Sequence, residues 1–258
     1  MTSSPPSPAA APVALSAGGP APSVTGRVAV EIGGETVAFA LTVPAGPSCL
    51  EDLLPIFQGL TDVVVARASV RAGSEGRTVS CREGCAACCR HPVPVSEPEA
   101  RAIAGLVEGL PEPRRSQIRA RFAEATAALD AAGLSERSPD GEAGAAEMGA
   151  AYFRRAVACP FLEAERCSIH ADRPLACREY AVTSPAAACS FPRADLVHGL
   201  PLAGRPSRAL MQVGRRDTRN GWLLLVDAPG WAAGHPAPDA RQTGPQLVQA
   251  VFNRYAEG

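Results

Sequence analysis

Apolar and polar positions alternate from Arg27 to Val43. Val28, Val30 and Ile32 fall on one side, Gly33-Gly34 offers a turn, and Val37, Phe39, Leu41 and Val43 return with a period of two. This pattern predicts a β-hairpin over residues 26–46. A lone hairpin is marginal in water, so helices or a partner must cover its apolar face. The period then changes. Ser48 and Glu51 have the spacing of a capping box before an apolar run, which predicts helix from Cys49 to Ala72, interrupted near Pro55. Ser96 and Glu99 repeat the box with Pro98 in the first turn, and that helix should run to about Leu110. The next helix starts at Pro113, places Ile118, Phe122, Ala125 and Leu129 on one face, and stops at Gly133. A helix from about Ala143 to Ala158 should deliver Cys159 at its end, with Pro160 as the stop. Further helices are expected around 206–214 and 220–233 and from Gly244 to Ala256. The last carries Leu247, Val248, Val251, Phe252 and Tyr255 as one stripe. Residues 134–142 read as a polar loop, and Cys159 to Cys189 as loop with short turns.

The chemistry lies between these elements. Cys81, Cys85, Cys88 and Cys89 are spaced C-x3-C-x2-C-C, four of the nine cysteines in the chain. Cys159, Cys167, Cys177 and Cys189 form a second group. Thiolate is the soft ligand used by zinc and by iron–sulfur clusters. Gaps of two or three residues let one loop offer several sulfurs to one centre, and Gly84 and the Ala86-Ala87 pair keep that loop slim. Cys88 and Cys89 are adjacent, so their side chains should diverge. A disulfide framework would suit a short secreted chain, and this one has 258 residues and no secretory signal pattern. Cys49 lies outside both groups and reads as a small core residue.

The two groups together resemble the YkgJ-type cysteine-cluster family, a zinc- or iron-chelating type of domain. The resemblance rests on C-x3-C-x2-CC, then Cys159-Pro-Phe-Leu, Cys167-Ser-Ile-His170, Arg173-Pro and Cys177-Arg-Glu-Tyr180, over roughly Gly76 to Cys189. It implies metal binding. Cys81, Cys85 and Cys88 also reproduce the C-x3-C-x2-C of radical S-adenosylmethionine enzymes, whose motif follows the first strand of a partial barrel. No series of strand–helix units follows here. Arg82, Arg90, Arg173 and Arg178 flank the cysteines and could offset thiolate charge. His91 and His170 are weaker ligand candidates. Tyr180 reads as a packed ring, and Asp172-Arg173 as part of a turn.

Composition narrows the field. The net charge of −1 points to neither a nucleic-acid nor an anionic-membrane partner. Every Lys/Arg position is Arg, as a GC-rich bacterial genome would favour, which removes the P-loop lysine, the Schiff-base lysine and the lysine base. No apolar run of 18 residues suggests a membrane span, and the first residues lack a signal-peptide pattern, so a cytoplasmic, reducing location is expected. The expected fold class is mainly α with a short N-terminal β-hairpin and an irregular cysteine-rich metal-binding region. Residues 1–25 form a disordered Pro/Ala/Ser-rich tail, 26–46 the hairpin, and 47–258 a helical cysteine-cluster domain with its metal core at 76–189. The expected ligands are Cys81, Cys85, Cys88, Cys89, Cys159, Cys167, Cys177 and Cys189, holding an iron–sulfur cluster in preference to zinc. The alternatives are an iron–sulfur redox or S-adenosylmethionine-dependent group-transfer enzyme, and a zinc-stapled structural or interaction module.

Overall fold

The structure is a computed structural model that describes residues 11–18, 22–134, 141–190 and 194–258. It is 49% helical and 17% strand, in keeping with a mainly α chain that has strands at its N-terminal end. Strand β1 spans Val13–Ser16, β2 Ser23–Ile32, β3 Glu35–Pro44 and β4 Pro47–Ser48. Helix α1 spans Leu54–Ser74, followed by β5 (Pro94–Ser96), α2 (Glu97–Glu108), α3 (Arg114–Ala131) and α4 (Gly141–Arg155). The cysteine-rich segment holds β6 (Leu162–Glu163), β7 (Arg166–Cys167) and α5 (Leu175–Glu179). The chain closes with α6 (Pro206–Val213), β8 (Trp222–Leu224), α7 (Ala228–Gly234), β9 (Gln242–Thr243) and α8 (Gly244–Ala256).

The hairpin forms in the expected register, with Val28 opposite Phe39 and Val30 opposite Val37. Its inward residues, Ile32, Val37, Phe39 and Val43, join Ile56, Phe57, Leu60 and Val64 of α1 and Val251 and Phe252 of α8 in one core. Phe39 meets Phe252 edge-on at 6.0 Å between centroids. Helices of this chain therefore cover the face that a lone hairpin would leave wet.

Part of the expected tail is structured. Val13–Ser16 pairs in parallel with β3, setting Val13 beside Phe39 and Leu15 beside Leu41. The Ser/Pro/Ala composition averaged out a short Val13–Leu15 alternation, and the open edge of β3 rewards it. Gly59 on α1 has no side chain, and the Leu15 methyls fill that space. Residues 1–10 and 19–21 of the expected tail lie outside the described residues, as do 135–140 of the expected polar loop.

Several helix boundaries move for local reasons. The Ser48–Glu51 box does not form. Cys49 is the cap instead, its N–H donating to Asp52 at 2.9 Å, while Ser48 Oγ donates to the Gly46 carbonyl. The expected break near Pro55 takes the form of a 3-10 turn over Leu50–Leu53 that gives way to α1 at Leu54, with Pro55 in the first turn, where its missing N–H is harmless. The Ser96–Glu99 box forms as expected, and the stripes on α3 and α8 are buried as expected. Helix α4 ends at Arg155, where Ala156 turns left-handed at φ 51°, so Cys159 lies on a separate loop. The expected helix over 220–233 opens as strand β8, which pairs with β5 and turns into α7 only at Ala228. Trp222-Leu-Leu is short enough for a nearby strand edge to decide its state. The stretch Leu50–Ser74 is, by length and composition, apolar enough to cross a membrane, contrary to expectation. Here its apolar side faces the sheet and α8.

Candidate metal centre

Two loops and two short elements bring the cysteines together. The first loop follows α1 and is made of successive turns, with Cys85 N–H on the Arg82 carbonyl and Cys89 N–H on the Ala86 carbonyl. Gly84 allows the first turn through its φ of 82°. The second group is tied to it directly, Cys159 N–H donating to the Cys89 carbonyl at 2.8 Å. Beyond it β6 and β7 form a tiny hairpin that pairs Leu162 with Cys167. The Ala164-Glu165 turn between them has both residues at positive φ, the form that suits a two-residue hairpin. Glu165 then reaches across to Arg90 with contacts of 2.8 and 3.1 Å. Cys177 is carried by α5, and Cys189 by a short 3-10 turn, Ala186–Ser190.

Six of the eight candidate ligands line one cavity of about 880 Å³: Cys85, Cys88, Cys89, Cys159, Cys167 and Cys177. Cys88 and Cys89 do not diverge as expected. Both line the cavity, and the Cys89 thiol is close enough to raise that of Cys88. Cys81 and Cys189 sit to one side of this wall, close enough to each other, Cys85 and Cys88 for charge to be felt among them. Cys49 is elsewhere, its thiol on the Pro238 carbonyl at 3.5 Å. All nine cysteines are free thiols.

The electrostatics of the wall follow from crowding and burial. Burial pushes the Cys159 thiol up to about 12, and Cys167 and Cys88 nearby would repel a charge there. Cys177 is raised well above the ordinary thiol range, first by burial and then by Cys159, Cys88 and Cys167. Cys88 is raised by the Cys89 thiol beside it and by burial. One cation opposes this. The Arg173 guanidinium lowers Cys81, Cys88, Cys167 and Cys177, and its buried Nε has no hydrogen-bond acceptor among the described residues. Arg173 therefore fits the charge-offsetting role expected of four arginines. Arg90 is spent on Glu165, and Arg178 on Asp62 and the Arg173 and Ala171 carbonyls. Arg82 is exposed.

The remaining candidates have defined positions. His91 and His170 both line the cavity. His91 lies edge-on to Phe153 and Tyr180, its Nε2 is 2.6 Å from the Cys189 carbonyl, and burial lowers its pKa. Burial first and the nearby Cys189 thiol next push the Tyr180 hydroxyl up, so this ring adjoins the cysteines as well as packing. Among the described residues no three Cys, His, Asp or Glu side chains already surround a common metal position. The donor set nonetheless fits a thiophilic metal, because soft sulfurs dominate the wall and a guanidinium stands beside them. The C-x3-C-x2-C run follows helix α1, and the sheets present have two or three strands, so the barrel context of radical S-adenosylmethionine enzymes is not found among the described residues.

Sequence reasoning missed the carboxylates that frame the wall. Glu99 was legible as a capping residue, yet its second oxygen accepts from Leu175 N–H at 2.7 Å and sets α5 in place. Glu179, inside the Cys-Arg-Glu-Tyr motif, accepts from Ser207 N–H and Oγ, each at 2.7 Å, and caps α6. A charged residue at a helix end gives no local sign of which distant N–H it will meet.

The region with this arrangement is similar to a known type of cysteine-cluster domain. Residues 80–194 match the CxxCxxCC family, described as "Putative zinc- or iron-chelating domain", which is the family the motif spacing resembles. No curated protein matches the chain. No solved structure matches it either.

Proposed function

We propose that this chain is a cytoplasmic protein that holds an iron–sulfur centre through the cysteine wall. The observation that carries the reading is the convergence of six thiols from four separate segments on one cavity. Cys85, Cys88, Cys89, Cys159, Cys167 and Cys177 would supply the sulfur ligands, with Cys81 and Cys189 as flanking donors. Six to eight thiols exceed what one tetrahedral zinc ion takes. Nitrogen ligands are few, and His91 is already engaged with the Cys189 carbonyl. When bound, such a centre supplies one-electron chemistry or a Lewis-acidic iron. Nine free thiols suit a reducing compartment.

Protein purified without air should be brown and contain iron together with acid-labile sulfide. Cys49→Ser should keep its full metal content, and Cys159→Ser and Cys177→Ser should each lose most of it. A colourless protein that takes up zinc stoichiometrically, and stays colourless after iron and sulfide are supplied, would sink the choice of iron. Metal loss in Cys49→Ser equal to that in Cys177→Ser would sink the ligand assignment.

A further inference from the structure

The thiols make up only part of the cavity lining. Ligand pockets commonly run to about 300–1,000 Å³, and a metal ion or small cluster fills a fraction of that. Much of the remaining lining has a different character. Met148 and Phe153 come from α4, Trp222 and Leu224 from β8, and Met211 from α6. These are apolar or aromatic surfaces, suited to the body of an organic molecule.

Polar groups sit beside this surface on one face of α6 and the residue before it. Arg205, Arg208 and Gln212 are three and four residues apart, a spacing that aligns them. Two of the three are occupied. Arg205 pairs with Glu179 at 3.4 Å, and Gln212 accepts from Arg254 Nε. Arg208 is exposed and lines the cavity, and its side chain has no hydrogen-bond or ion-pair partner among the described residues. Arg173 adds a third guanidinium, beside the thiols. Against these three stands, among the described residues, one lining acid, Glu179, whose oxygens are taken by Ser207 and Arg205. The cavity therefore offers positive charge next to apolar surface, with two guanidiniums unpaired among the described residues, Arg173 beside the thiols and Arg208 on α6.

We infer that the cavity binds a small organic carboxylate with an apolar or aryl body, its carboxylate on Arg208 and its body against Met148, Phe153 and Trp222. A planar guanidinium is matched to a carboxylate by two parallel hydrogen bonds. This site draws on the metal reading only for the assignment of the thiols. It places an organic anion beside whatever the cysteines hold.

The test uses the full chain with Trp231→Phe, so that Trp222 is the single tryptophan and reports from the cavity. 4-Phenylbutyrate is the anionic probe and 4-phenylbutan-1-ol its neutral counterpart. The acid should bind saturably and shift Trp222 emission. Arg208→Ala should weaken it by about fivefold to tenfold, the loss of one charge-assisted contact. Arg208→Lys should restore part of the affinity, and Arg241→Ala should leave it unchanged. The alcohol should bind more weakly and be indifferent to Arg208→Ala. Absence of saturable binding at millimolar acid would overturn the inference, as would equal affinity for acid and alcohol or an Arg208→Ala chain that binds like the parent. Metal is assayed on the same samples to separate the two readings. A metal-loaded chain that ignores the acid overturns this inference alone. A chain that takes up no metal even after iron with sulfide, or zinc, is supplied, yet binds the acid through Arg208, supports this inference and overturns the metal reading.

Discussion

Glu97 shows how one buried side chain can fix a distant loop. It is fully buried at the start of α2, and its Oε1 accepts from the N–H groups of Arg216, Asp217 and Thr218 and from Thr218 Oγ1 at 2.8–3.0 Å. Burial alone would raise its pKa, but the four donors outweigh burial and hold it below the ordinary 4.5. A carboxylate with a lowered folded-state pKa stabilises the fold above its unfolded value. That stabilisation is lost as pH falls through the folded value. Glu97→Gln should therefore cost about 1.5–3 kcal/mol at neutral pH. Urea denaturation of both proteins should show the gap closing as pH falls below 4.5. A gap of constant size down to strongly acidic pH would mean that the carboxylate charge contributes nothing.

Helix α5 shows the same economy at the level of an element. Its five residues are too few to hold a helix alone. Glu99 fixes its first N–H, and Glu179 at its end caps α6, whose own N-cap residue Arg205 supplies no side-chain bond. The element that carries Cys177 is thus suspended between α2 and α6 by two carboxylates. Glu179→Ala would leave Ser207 N–H buried without an acceptor. It should cost about 1–3 kcal/mol, and amide exchange should quicken in α5 and α6 before it does in β2 and β3. Uniform quickening across the chain would show that these two helices do not form a local unit. The Arg90–Glu165 pair is different. Glu165 is largely exposed and Arg90 half-buried, so the pair is open to water and Arg90→Ala should change stability by less than about 1 kcal/mol.

At the scale of the whole molecule, the cysteine wall joins parts that otherwise have separate cores. The sheet packs with α1 and α8, whereas Phe161 and Ile169 of the cysteine segment pack with α2 and α3. Phe122 of α3 meets Phe161 at 5.3 Å between centroids. A metal holding both cysteine loops would add its binding energy to this junction, about 10–16 kcal/mol for zinc in small peptides. The large apolar core predicts that metal-stripped protein stays partly folded. Chelation should lower the melting temperature and expose the amides of Cys89, Cys159 and Ser168, with α3 loosening next and the β2–β3 ladder last. An unchanged melting curve after verified metal removal would rule out stapling.

The sequence alone determined what depends on short range. The β2–β3 register follows from a period of two, and the buried stripes of α3 and α8 from a period of 3.6. The Ser96 cap and the cysteine motif were equally legible, because each is a few residues at fixed offsets. Tertiary structure decided what depends on a neighbour far along the chain. Val13–Ser16 became a strand because β3 had a free edge, and Trp222–Leu224 because β5 did. Arg173, out of four similar arginines, faces the thiols because acids and carbonyls hold Arg90 and Arg178. The acids that suspend α5 and the unpaired Arg208 at the cavity were invisible for the same physical reason. Burial and charge pairing are properties of the space around a side chain, and the sequence gives no address for that space until the chain has folded.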